Sequence, residues 1–294
     1  MRYRTLWQST CALIVSTASL VPASATEVHG RVGSDYVCTH PPYRPILVSA
    51  SPLVIYLEAF LSDQERHHLY AVSQGKFSHF VVTGGGDKNG EAAARNVART
   101  SQSAYVLRDA VLHCIEERAA AFQGYDVVRE QLEPLQLVKY APGEQYHLHT
   151  DWIARPAEQR MHATASSGGN RLSSFFAYVH VGDDAQGNAT TGGGTIFPLL
   201  DAPKNEEWCR RGIVDCDAPW ESGLTFRPIA GNAIFWRNLQ PQSVVSTSGE
   251  QVGDFRTLHA GLPIGAGEKI GLNIWTREGV LSDEARGPEF YPDV

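Results

Sequence analysis

Residues 146–152 read Tyr-His-Leu-His-Thr-Asp-Trp and put two imidazoles and a carboxylate within five positions. In a β-strand successive side chains alternate faces, so His147, His149 and Asp151 share one face and Tyr146, Leu148, Thr150 and Trp152 the other. Neighbours two apart on such a face are roughly 6.5–7 Å apart along the backbone, and two of them can converge on one small cation. A third ligand has to come from elsewhere, and His162, His180 and His259 are the histidines that could supply it. Two histidines and a carboxylate on one face of an octahedron suit a non-haem Fe(II) oxygenase, with three positions left open. The same donors suit a hydrolytic zinc site, and spacing alone leaves both open.

The stretch Gly-Glu-Lys-Ile-Gly-Leu-Asn-Ile-Trp, residues 267–275, separates them. Strand alternation puts Lys269, Asn273 and Trp275 on one face and Ile270, Leu272 and Ile274 on the other. A lysine sharing a barrel-facing side with Asn and Trp is buried, and a buried ammonium is costly unless an anion meets it. A dicarboxylate cosubstrate is one such anion.

Taken together, Tyr140, Tyr146, His149-x-Asp151, Arg171-x-x-Ser174, Gly-Gly-Gly-Thr-Ile-Phe-Pro, Gly-Asn-Ala-Ile-Phe-Trp, Thr-Leu-His-Ala-Gly-Leu-Pro and Lys269 with Trp275 resemble the catalytic domain of prolyl 4-hydroxylases. These are 2-oxoglutarate/Fe(II) dioxygenases, and the likeness runs from about residue 52 to 277. It implies His149, Asp151 and His259 as iron ligands, and Lys269 as salt-bridge partner of the distal carboxylate of 2-oxoglutarate. Tyr140 is implied as a hydrogen-bond donor to that carboxylate. Tyr146, Arg171 and Trp275, with Arg99 and Ser101, match the family's peptide-contacting positions. The implied cofactors are Fe(II), 2-oxoglutarate and O2, with ascorbate to rescue oxidised iron. His147 is expected to be a neighbour of the site or to face solvent. The chain departs from the family where Ser174 stands for the usual Thr, and in a longer loop from Gln240 to Gly253. Residues 154–170 form a second long loop.

Elements able to position these residues can be read from the chain. Ser62 and Glu65 form a capping box for a helix running to about Val72. Apolar positions 107, 111, 114, 115, 119 and 122 recur at helical spacing up to Gly124. From Leu132 the pattern becomes short β-prone runs divided by Gly, Pro and Asn, eight of them up to Arg277. The fold expected is mainly β (α+β), a double-stranded β-helix (jelly roll) core over about 132–277 with flanking N-terminal helices. Residues 26–51 read as an extended lead-in, 52–277 as one oxygenase domain, and 278–294 as an irregular tail.

Residues 1–25 look like a signal peptide: a basic Met-Arg-Tyr-Arg start, a short apolar run, and Ala23-Ser24-Ala25 before the cut. The apolar run falls below the ~20 residues of a membrane span, so no stable span is expected after cleavage. Loss of Arg2 and Arg4 moves the formal net charge from −7 to −9, which disfavours nucleic acid as a partner. Cys11 leaves with the leader, and the four remaining cysteines are expected to pair as Cys209–Cys216 and Cys38–Cys114. With the Asn188-Ala189-Thr190 sequon, this suits a secretory pathway location, in the endoplasmic reticulum lumen or secreted. A Pro-rich peptide or protein is the expected substrate. The same chemistry on a small metabolite or another side chain is the alternative, and a catalytically silent jelly-roll binding module is the reading from another class.

Overall fold

The computed structural model describes residues 36–79, 99–153, 168–183, 187, 189–201, 206–241, 243–245 and 251–289. The leader at 1–25, His162, most of the 154–170 loop, part of the 240–253 loop and Asn188 of the sequon lie outside them.

Two strands open the fold, β1 (Arg44–Ala50) and β2 (Leu53–Glu58), followed by α1 (Asp63–Ser73). Ser62 begins that helix as expected: its hydroxyl accepts from the Glu65 amide, and the Glu65 carboxylate accepts from the Ser62 amide. Next come β3 (Ser78–His79), β4 (Gln102–Tyr105) and α2 (Ala110–Gln123). The jelly-roll strands are β5 (Gln136–Tyr140), β6 (Tyr146–His149), β7 (Arg171–Gly182), β8 (Thr191–Gly192) and β9 (Thr195–Phe197). After α3 (Glu206–Arg210) follow β10 (Leu224–Phe226), β11 (Ala233–Arg237), β12 (His259–Gly261), β13 (Ile264–Ala266) and β14 (Glu268–Arg277). A short α4 (Asp283–Arg286) ends the described chain.

These strands form an eight-stranded sheet ordered β1-β2-β11-β7-β14-β5-β4-β3, a four-stranded sheet ordered β10-β9-β12-β6, and the β13-β8 pair. All their pairings are antiparallel. The central strands of the large sheet are buried on both faces. One side of β7 and β14 (Phe175, Ala177, Val179, Ile270, Leu272, Ile274) packs with Leu69, Leu112 and Ile115 of the two helices. The other side, with Phe176 and Tyr178, meets Phe197 and Phe226 of the small sheet. This double burial makes β7 a nearly continuous apolar run rather than an alternating one. The layers are helices, large sheet and small sheet, and the space between the sheets is where the chemistry-bearing residues collect.

Two elements are added to the expected fold and two expectations change. The extended lead-in pairs as β1 along β2 from Arg44↔Glu58 to Ala50↔Leu53. Before α2, β4 adds to β5. Helix α2 starts at Ala110 rather than Leu107, because Asp109 accepts from the Val111 and Leu112 amides as its cap and Leu107 is exposed. The tail is docked rather than irregular: α4 buries Arg286, which donates to the carbonyls of Arg129 and Leu132. Both expected disulfides, Cys38–Cys114 and Cys209–Cys216, are present. Among the described residues no helix is long and apolar enough to cross a membrane.

Beneath the helices, Arg118 of α2 donates to both oxygens of Glu65 of α1, at 2.5 and 3.0 Å, with both side chains buried. With the Ser62 amide, Tyr36 brings the bonds to the same carboxylate to four. Removing one partner of such a pair strands the other charge. Glu65→Ala is expected to lower unfolding free energy by about 3–5 kcal/mol, read as a drop in urea midpoint; an unchanged midpoint would mean that water or a neighbour replaces the carboxylate.

Candidate functional site

His149 ends β6 and His259 begins β12, and the two stand directly opposite in the antiparallel ladder. Gly261 of β12 pairs with Tyr146, so three residue steps on β6 oppose two on β12. This is a bulge, with one extra residue in β6. It corrects the simple alternation expected for 146–152: Tyr146 and His149 lie on the same side and stack, ring centroids 3.7 Å apart, while His147 and Leu148 are exposed. The bulge turns the tyrosine into the cleft and the nearer histidine out.

Asp151 follows β6 and is buried. Ligand atoms of His149, Asp151 and His259 all lie within 4.8 Å of one another. The Nε2 atoms stand 3.8 Å (His149) and 3.9 Å (His259) from the Asp151 carboxylate, too far for hydrogen bonds and near enough to share one small cation. Each imidazole is oriented from behind, as His149 Nδ1 contacts the His147 carbonyl at 2.8 Å and His259 Nδ1 the Thr257 carbonyl at 2.9 Å. A proton on Nδ1 makes both bonds and leaves each Nε2 lone pair toward the carboxylate, the tautomer a metal ligand needs. Burial, then the neighbouring His259, drives the His149 pKa well below the imidazole range, so the ring is neutral at neutral pH. Burial opposes the Asp151 charge, but His259, His149, Arg171 and the Ser174 hydroxyl outweigh it and hold the carboxyl below its usual range. A neutral His149 imidazole beside an ionised carboxylate fits a divalent cation. Of the other candidate ligands, His180 packs against Tyr70, ring centroids 4.8 Å apart, on another part of β7.

A cleft of about 360 Å³ opens over the triad, walled by Tyr140, Tyr146, Phe176, Thr195, Trp236 and Trp275 among others. Lys269 is fully buried beside it, its Nζ 4.1 Å from the centre of the Tyr140 ring. No carboxylate meets it among the described residues; it donates to the Gly193 carbonyl at 2.6 Å. Gly193 has φ +70°, and a Cβ there would fall 2.3 Å from Ile264, so the glycine run before β9 brings backbone where a side chain would not fit. Burial lowers the Lys269 pKa from 10.5 to about 7. Burial also raises the Tyr140 phenol, leaving it a proton donor at neutral pH.

The other expected residues gather at the same cleft with different exposure. Trp275 lines it, and Arg171 stacks on its indole, 3.7 Å from guanidinium to ring centroid, while forming a two-pronged pair with Glu133 at 2.7 and 2.9 Å. Arg99 lies 4.6 Å over the Tyr146 ring. Ser101 is fully buried, accepts from Arg99 Nε at 3.2 Å and hydrogen-bonds the Tyr140 phenol, so it supports both side chains. The Trp275 indole N–H is buried and has no partner among the described residues. Sequence reasoning did not find Glu133, Phe176, Thr195, Trp236 or Asn238. Each belongs to a run that reads as ordinary strand or core, and only the alternation around Phe176 could have pointed inward.

Residues 135–277 match the 2OG-Fe(II) oxygenase superfamily. The chain is 27% identical over 234 residues to prolyl 4-hydroxylase 2 of Arabidopsis thaliana, spanning 78% of this chain and 68% of that protein. It is 28% identical over 244 residues to prolyl 4-hydroxylase subunit alpha-2 of Gallus gallus, spanning 82% of this chain and 35% of that subunit. Among solved structures, the 2OG complex of viral collagen prolyl hydroxylase vCPH from Paramecium Bursaria Chlorella virus-1 is similar, with 21% identity and a TM-score of 0.47. That likeness covers 82% of this chain and 98% of the viral one.

Gly271, the diagonal neighbour of Phe176 across the β7–β14 ladder, leaves room for its ring: a Cβ at Gly271 would lie 2.2 Å from it. Gly271→Ala is expected to push that ring into the cleft and cost about 1–3 kcal/mol of stability by overpacking. Urea denaturation measures it, and an unaltered midpoint would mean that the ring has room to withdraw.

Proposed function

From the premise that this chain carries a prolyl 4-hydroxylase-like 2-oxoglutarate/Fe(II) oxygenase domain, we propose that it hydroxylates peptidyl proline in Pro-rich segments. The observation that carries the reading is the joining of the His149–Asp151–His259 cluster to a buried, carboxylate-free lysine beside one aromatic cleft. In this reading His149, Asp151 and His259 hold Fe(II), and Lys269 with Tyr140 takes the distal carboxylate of 2-oxoglutarate. Bound Fe(II) with 2-oxoglutarate and O2 supplies oxidative decarboxylation, yielding succinate and CO2, coupled to hydroxylation of an unactivated C–H bond.

The protein's own part is to bind, orient and keep water out. Nε2 of each histidine and the Asp151 carboxylate face the metal position, while Tyr146, Phe176, Trp236 and Trp275 line its surroundings with apolar surface. A proline-rich peptide in polyproline II form suits a slot walled by aromatic rings. The unpartnered N–H of Trp275 supports such a ligand, since a buried donor left unsatisfied is costly and a peptide carbonyl satisfies it. Arg99 and Arg171, lying over Tyr146 and Trp275, border the same slot and are proposed to contact the peptide there. The disulfides Cys38–Cys114 and Cys209–Cys216 support a secretory compartment, reached through a leader at residues 1–25. Ascorbate is the reductant proposed to return oxidised iron to Fe(II).

Succinate release by residues 26–294 with Fe(II) and 2-oxoglutarate is expected to rise when Pro-rich peptides are added. Succinate without peptide stimulation would remove proline as the substrate, and no succinate from folded, iron-loaded protein would remove the oxygenase reading. His149→Ala abolishes turnover in this scheme, whereas His147→Ala, at an exposed position, retains most of it.

Lys269 yields a prediction of definite sign. Its pKa in the free protein is about 7, and a bound carboxylate favours the charged form, so binding raises the pKa. At pH 8, 2-oxoglutarate binding is therefore expected to take up protons, seen by calorimetry in buffers of different ionisation enthalpy. Affinity is full below about pH 7 and falls as pH rises above it. A buffer-independent binding enthalpy at pH 8 would contradict the assignment, and Lys269→Ala is expected to abolish the uptake.

A further inference from the structure

Behind the Asp151 carboxylate runs a chain of three hydrogen bonds through residues that bind nothing in the scheme above. Ser174 Oγ donates to Asp151 Oδ2 at 2.6 Å. Asn238 Nδ2 donates to Ser174 Oγ at 2.9 Å, and Trp236 Nε1 donates to Asn238 Oδ1 at 2.8 Å. Trp236, Asn238 and Ser174 are all essentially unexposed, so no solvent competes for these groups.

The direction of the chain follows from its first member. An indole nitrogen only donates, so the group facing Trp236 must be the Asn238 oxygen and the amide NH2 must point the other way. The NH2 also only donates, so Ser174 Oγ is the acceptor there and has its single proton left for Asp151. No flip of the amide or rotation of the hydroxyl preserves all three bonds. The carboxylate is therefore met by a fixed donor on Oδ2, while Oδ1 faces His149 Nε2 at 3.8 Å.

The same residues hold the second half of the triad. The Trp236 ring packs edge-on to His259, centroids 4.7 Å apart. The Asn238 carbonyl accepts from the Asp254 amide at 2.8 Å, and Asp254 O accepts from Thr257, whose own carbonyl orients His259. Asn238 thus ties the segment carrying Asp151 to the segment carrying His259.

We propose that Trp236, Asn238 and Ser174 are positioning residues, a one-directional hydrogen-bond relay that sets the rotation of the Asp151 carboxylate toward the metal and locks its distance from His259. The proposal rests on the metal reading of the triad and adds Ser174 and Asn238, which lie behind the cleft, and a second role for Trp236, whose ring also walls it. Groups behind metal ligands typically change metal affinity by ~10–100-fold when removed.

The test is calorimetric titration of the full chain with Mn(II) or, without oxygen, Fe(II), together with the d–d absorption of the Co(II)-loaded protein. Asn238→Leu and Ser174→Ala are expected to weaken metal binding by ~10–100-fold and alter the Co(II) bands, whereas Ser174→Thr, which keeps the hydroxyl, stays within about threefold. Trp236→Phe frees the amide to flip and is expected to fall between. A purely structural role would lower the unfolding midpoint and leave the Co(II) spectrum of folded protein unchanged, which would overturn the relay. Should Asn238→Leu fail to fold, the Ser174→Ala and Ser174→Thr pair decides alone. Wild-type affinity in Ser174→Ala overturns the relay while sparing the metal reading; absence of binding by the unaltered protein overturns both.

Discussion

The antiparallel pairing of β12 on β6 is the constraint on which the site depends, because it sets His259 opposite His149. Neither strand is long: β12 has three residues and β6 four. Two such short pieces cannot fix a register by their own ladder, so the register has to come from what surrounds them. On one side β9 pairs with β12, through Ala260↔Ile196 and Gly261↔Thr195. Above them the large sheet supplies Tyr140, Phe176 and Trp236, whose rings fill the space between the layers. A slip of one residue in β6 would exchange its inward and outward side chains.

Charge is buried in this molecule in two different ways, and the contrast separates scaffold from site. The Glu65–Arg118 pair under the helices is complete, each charge meeting its opposite. Arg286 and Arg108 likewise find Glu116 beneath the docked tail. Lys269, equally buried, meets the Gly193 carbonyl and the Tyr140 ring but no carboxylate among the described residues, and burial lowers its pKa. The Trp275 indole N–H and the three triad ligands share the condition of being oriented by neighbours yet incompletely satisfied. Buried groups left short of partners are expensive, and Trp275 and the triad ligands line the same cleft, with Lys269 beside it against Tyr140.

Orientation is supplied from behind in every case. Carbonyl oxygens two residues upstream set both imidazoles, the Ser174 hydroxyl sets the carboxylate, and Glu133 holds Arg171 flat on Trp275. The imidazole supports come from main chain and the Ser174 hydroxyl from a strand buried on both faces, while Glu133 reaches Arg171 from the segment before β5. Their rotamers are therefore decided by packing before any ligand arrives.

Local chemistry in the sequence was enough to determine several features: the Ser62–Glu65 capping box, the alternation that puts Lys269 and Trp275 on one face and Ile270, Leu272 and Ile274 on the other, and the spacing of the β-prone runs. Those are short-range effects, set by backbone geometry and side-chain polarity within a few residues. The pairing of Cys209 with Cys216 was legible for the same reason. The bulge in β6 was not, since it arises from the mismatch between two ladders and carries no marker in Tyr-His-Leu-His. Neither were β1, β4 and the docked tail, whose backbones are ordered by partners distant in the chain. Asn238 and Glu133 read as unremarkable polar residues until folding brings Ser174 and Arg171 against them. Residue type determined which groups could do the chemistry; the tertiary structure decided which of them meet, because burial between two sheets turns distant side chains into neighbours whose hydrogen bonds must all be met at once.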